Sequence, residues 1–87
     1  MMWWSHLPAV PVRAADNVGI TMHVRSVEDA VEQMEAWPLP AGGKRGPKWR
    51  KAYRACFDAL EGMAELDAAR SAFEAAASEA GMLRRHG

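Results

Sequence analysis

One cysteine, Cys56, is all the thiol chemistry the chain carries. No internal disulfide can form, and no zinc site can be assembled from cysteines. That usage suits a reducing compartment, and the chain reads as cytoplasmic. Long apolar runs are missing as well: none approaches the ~18 residues that a membrane span needs. The opening "MMWWSHLPAVPV" is apolar, but it has no leading positive charge and is broken by Ser5, His6 and Pro8, so it does not read as a signal peptide. An excess of either charge is also absent. Eleven Lys and Arg balance eleven Asp and Glu, which argues against a protein built mainly to neutralise nucleic acid. Acids are lacking from one particular stretch, because none occurs between Glu35 and Asp58.

What is present is a globular composition: 87 residues, 49% apolar and 25% charged, enough for one small domain with a thin core. Residues 1–8 are expected to form a loosely held arm, residues 9–83 the domain, and residues 84–87 a tail. "AVPVRA" at 9–14 alternates, with Val10, Val12 and Ala14 on one face. "DNVG" at 16–19 is turn chemistry. "ITMHVR" at 20–25 alternates again, with Ile20, Met22 and Val24 together. Two alternating runs around such a turn predict an antiparallel hairpin with one buried face. Pro11 lacks an N–H, which places the first strand at an edge.

Three helices follow. Ser26 is placed as an N-cap, with Glu28 and Asp29 in the first turn where carboxylates suit the helix dipole. Val27, Ala30, Val31, Met34 and Trp37 recur at helical spacing, and Pro38 and Pro40 end the helix. Pro47 opens a second helix whose apolar stripe is Trp49, Ala52, Tyr53, Cys56, Phe57 and Leu60, stopped by Gly62. The third carries Leu66, Ala69, Ala72, Phe73, Ala76, Ala77 and Ala80, stopped by Gly81. Two strands alone are marginal in water. The expected architecture is therefore α+β in two layers, an N-terminal antiparallel β-hairpin covered by three α-helices.

The order and spacing of "WP" at 37–38, "RGP" at 45–47, "ACFDALEG" at 55–62, "AARSAFEAAASEAG" at 68–81 and the "ML" after it resemble the domain-of-unknown-function family 982. The resemblance spans roughly residues 9–83. It implies a small, mostly alphaproteobacterial kind of protein and this fold, and it brings no catalytic residues with it. "MMWW" falls outside the pattern, and "MAELD" at 63–67 lacks the proline expected near the start of the last helix.

The chain offers little catalytic chemistry. Cys56 lies mid-stripe, where cysteine acts as a small hydrophobe and not as a thiolate. His6, His23 and His86 are far apart, so a metal site is not expected. "AGGKRG" lacks P-loop spacing, and Glu28, Glu32 and Glu35 make an acidic stripe and not an acid/base pair. No enzyme, cofactor or metal is expected.

The remaining signals concern binding. Trp37 and Trp49 flank a loop and are expected to pack. Adjacent Trp3 and Trp4 cannot easily both face one core, so they are expected at an interface, and the chain is read as a protein-interaction module that associates with itself. "KRGPKWRKAYR" at 44–54 concentrates Lys44, Arg45, Lys48, Arg50, Lys51 and Arg54. Cations at a helix N-terminus oppose its dipole, so an anion should compensate them. The favoured source is the acidic stripe of the first helix, with Asp58 four residues after Arg54. The alternative is an external polyanion such as nucleic acid. The outer face of the third helix, with Asp67 and Glu74, is too acidic for a major groove.

Overall fold

The computed structural model describes residues 2–4, 7–14, 17 and 19–84 of the chain. The elements run β1 (Val10–Arg13), β2 (Thr21–Val24), α1 (Val27–Ala36), α2 (Pro47–Leu60) and α3 (Leu66–Glu79). This is the α+β fold expected from the sequence. The two strands pair antiparallel, Val10 opposite Val24 and Val12 opposite Met22. Strand alternation sends Val10, Val12, Ala14 and Val24 into the core. In the connection, the Ala14 N–H donates to the Ile20 carbonyl at 2.9 Å, and Asn17 Oδ1 accepts from the Gly19 N–H at 3.1 Å. Asp16 and Val18 of the expected turn lie outside the described residues.

The outer edge of β1, and the chain just beyond β2, each pair with a segment from elsewhere. Along β1, Leu83 bridges Val12. The Arg13 N–H donates to the Met82 carbonyl at 2.7 Å and the Arg84 N–H to the Pro11 carbonyl at 2.9 Å. Pro11 offers only its carbonyl on that side, so its missing N–H costs nothing. Arg84, expected in a tail, is thus tied to the sheet; residues 85–87 lie outside the described residues. Beyond the end of β2, Trp3 bridges Ser26, with the Trp4 N–H on the Arg25 carbonyl and the Val27 N–H on the Met2 carbonyl, both at 2.8 Å.

Within the arm expected for residues 1–8, Met2–Trp4 run beside the chain beyond β2, and Met1, Ser5 and His6 lie outside the described residues. Trp4 is core. It is 2% exposed, and its indole N–H donates to the Val24 carbonyl at 2.8 Å. Trp3 is 51% exposed. The reason is the alternation of extended backbone, which points neighbouring side chains to opposite sides. Trp4 therefore leaves the expected interface pair, and Trp3 remains on the surface.

Each helix forms where its capping chemistry allows. Ser26 Oγ accepts from the Asp29 N–H at 3.1 Å, closing the N-terminus of α1. Pro47 opens α2 behind Gly46. Gly62 and Gly81 adopt φ of 75° and 71° past the ends of α2 and α3, a conformation that suits glycine. Buried Val27, Ala30 and Met34 come from α1, Ala52, Cys56 and Ala59 from α2, and Ala69, Phe73, Ala76 and Ala77 from α3. The alanines let α2 and α3 pack closely. Gln33, on the same helix as Met34, is buried too, which periodicity of apolar residues does not reveal. The stripe read for α2 is too wide: Phe57 is 39% exposed and Leu60 nearly as much, because the buried seam runs through the small residues.

Burial separates the two phenylalanines. Phe73→Ala is expected to cost about 3–5 kcal/mol, enough to unfold a marginal domain. Phe57→Ala should cost far less. Denaturant melts of both variants check this, and a Phe73→Ala protein as stable as the parent would remove that ring from the core.

Candidate functional site

The candidate site is the cationic segment 44–54 and its surroundings. The structure divides the six cations by role. Arg45 is built in. Its guanidinium donates to the Pro38 carbonyl at 3.3 Å and the Glu35 carbonyl at 3.4 Å, at the C-terminal end of α1 where a cation suits the dipole. It also lies 4.9 Å from the centre of the Trp49 ring. Arg54 stands 4.0 Å from Asp58, as its spacing suggested, with both side chains exposed. Lys44, Lys48, Arg50 and Lys51 are exposed, and their side chains make no hydrogen bond or ion pair among the described residues.

The acidic stripe of α1 does not supply the compensation expected of it. Both carboxylate oxygens of Glu28 accept from the Met2 N–H, at 2.8 and 3.0 Å. Glu35 accepts from the Tyr53 hydroxyl at 3.3 Å. No ion pair joins α1 to the cations among the described residues. At the N-terminus of α2 the nearby acid is instead Glu79, from the end of α3. Its carboxylate lies over Gly46, and a side chain there would require it to shift. A carboxylate at a helix N-terminus is electrostatically favourable. Sequence reasoning missed this pairing because the two positions belong to different helices. An open groove of about 510 Å³ lies here, lined by Leu39, Lys44, Arg45, Trp49 and Glu79 among others.

An aromatic row runs down α2 beside the cations. The rings of Trp49 and Tyr53 stack at 4.6 Å, and Tyr53 and Phe57 meet at 4.8 Å with a tilt of 59°. The Trp49 indole N–H donates to the Met34 carbonyl at 2.9 Å, fixing the row against α1. The row ends in exposed Phe57, Leu60 and Met63. A spacing of three residues puts Arg54 beside Phe57 on the helix surface, and Arg50 lies two turns away on the same side. Partial burial, and then the Glu35 carboxylate, hold the Tyr53 hydroxyl above its ordinary range.

Other candidate chemistry is not assembled. Cys56 is fully buried, and burial pushes its thiol up to about 12, the opposite of a nucleophile's environment. His23 is exposed on β2; His6 and His86 lie outside the described residues. Among the described residues no group of three or more His, Cys, Asp or Glu is placed to hold a metal ion. No helix among them is long and apolar enough to cross a membrane.

The profile of the family described as "Protein of unknown function (DUF982)" matches residues 9–84. The chain belongs to that family. No curated protein and no solved structure matches it.

Cys56 provides a check on the packing beneath the site. Alkylation should be slow in the native protein and fast in denaturant. Its raised pKa also sets a pH signature. Below pH 9 both folded and unfolded chains keep the thiol proton. Above it the unfolded chain ionises first, so stability is lost as pH rises from 9.0 towards about 12. Cys56→Ala should flatten that fall in thermal melts, leaving the smaller contribution of Tyr53 in the same direction. A fall of equal steepness in parent and variant would show that Cys56 is not shielded.

Proposed function

We propose that this DUF982 protein is a non-catalytic protein-interaction module, cytoplasmic, whose docking face is the outer side of α2 and whose partner is an acidic protein surface with an apolar centre. The observation that carries this reading is the pairing of uncompensated charge with exposed apolar surface. Lys48, Arg50 and Lys51 lack acidic partners among the described residues, and Phe57 and Leu60 are exposed on the same helix, with exposed Met63 just past its end. Aromatic and Arg side chains together make effective interface anchors. The inert setting of Cys56 supports binding over catalysis.

A second reading takes nucleic acid as the partner, and the same unpaired cations favour it. Phosphates would meet the outer row Lys48, Arg50, Lys51 and Arg54. The helix N-terminus is less open to them, because Glu79 already packs on Gly46.

Capture from nuclease-treated native host extract tests the first reading. The parent protein should retain an acidic protein, and the Arg50→Gln/Arg54→Gln/Phe57→Ala variant should lose it. The charge changes should leave stability nearly intact, since exposed pairs contribute roughly 0–1 kcal/mol. Titration with duplex DNA at two salt concentrations tests the second. Micromolar binding should weaken with a log–log slope of about −0.9 per phosphate neutralised, and the slope should fall by about two units in Arg50→Gln/Arg54→Gln. No captured partner together with such a slope replaces the first reading by the second, and neither signal overturns both.

A further inference from the structure

The sheet has one open edge. Hydrogen-bonding direction alternates along antiparallel strands. The Ala14 N–H to Ile20 carbonyl bond fixes which residues of β2 face β1. Met22 and Val24, opposite Val12 and Val10, share that phase. Thr21 and His23 therefore turn their N–H and carbonyl groups outward. The outer bonds of Arg25 and Val27 to the Met2–Trp4 segment agree with this phase, as do those of Pro11 and Arg13 on the far side of β1. The outward groups of Thr21 and His23 meet no partner among the described residues, and both residues are exposed.

We propose that this edge pairs with the same edge of a second copy, antiparallel and two-fold symmetric about Met22, joining two hairpins into one sheet. Thr21 of each copy then lies opposite His23 of the other, and four main-chain hydrogen bonds form. Three features select a second copy. First, pairing is bounded at both ends, by the turn before Ile20 and by the Met2–Trp4 segment beyond Val24, so only a strand as short as β2 fits. Second, the apolar residues left exposed on the sheet lie along this edge. Ile20 is 55% exposed although it shares the core face with Val24, and Trp3 stands at the other end. The antiparallel copy sets its own Ile20 opposite Val24 on that face, and symmetry makes the contact twice. Third, residues 82–84 already cover the outer edge of β1. Each copy has one edge to offer, so the assembly closes at two. The edge also lacks the proline or bulge that would deter such pairing.

This surface is separate from the α2 face, so its failure leaves the α2 reading standing. Sedimentation of the full chain should show a dimer of the 9.6 kDa chain, and Ile20→Lys should raise the dissociation constant at least about tenfold with the circular dichroism spectrum unchanged. In a Cys56→Ala background, Met22→Cys should form an intermolecular disulfide on mild oxidation, because the two-fold axis sets residue 22 against itself in a close, non-hydrogen-bonded pair. Thr21→Cys should not, being opposite residue 23. A chain that remains monomeric at high concentration overturns the proposal. So does a dimer indifferent to Ile20→Lys, or one in which Met22→Cys fails to cross-link.

Discussion

Phe73, stacked on Trp37 and tilted against Trp4, makes the contacts on which the rest of the structure depends. Its ring centre lies 5.6 Å from Trp37 and 6.3 Å from Trp4. The three rings come from α3, from the C-terminal end of α1, and from the segment beside β2. One side chain therefore joins the last helix, the first helix and the sheet, and all three rings are buried. Such pairs contribute roughly 0.5–1.5 kcal/mol each beyond the area they bury. In a domain this small that is a large share of the stability margin. The remaining core is mostly valine and alanine, with Met34, Cys56 and Met82, and these fill space but fix orientation less.

Around this core, charge is segregated. Residues 44–54 carry six cations and no acid, whereas two of the acids of α1, Glu28 and Glu35, are engaged by Met2 and Tyr53. A formal charge of zero conceals the division. Two of the cations are used locally, Arg45 as a clasp on the end of α1 and Arg54 beside Asp58. Of the others, Arg50 shares the side of α2 that carries a row of rings whose inner edge is anchored and whose outer end is exposed. Charge steers encounter while apolar surface supplies affinity, and here both lie on one helix.

Much of the fold was legible because local signals agreed. Ser26, Pro47, Gly62 and Gly81 mark helix ends that periodicity alone would leave vague, and alternation identified both strands. What escaped was tertiary. Adjacent Trp3 and Trp4 carry no local sign of which one turns inward. Phe57 and Cys56 sit one position apart on a helix, and only the close approach of α2 to α3 through alanines decides that the smaller one is buried. Glu79 against Gly46 joins two helix ends that share no local pattern. The unpartnered cations were visible in the sequence as a gap in acids, but their freedom from α1 depended on where Glu28 and Glu35 found their hydrogen bonds.

The return of residues 82–84 to the outer edge of β1 has a bearing on how the chain reaches its fold. The helices and the hairpin are local and can form as they are synthesised. β1 cannot gain its second neighbour until α3 is complete and Gly81 has reversed the chain. The sheet is thus closed by nearly the last residues of the domain to leave the ribosome. Until then the strand waits with an open flank, and the nascent chain exposes two sheet edges where the finished domain exposes one.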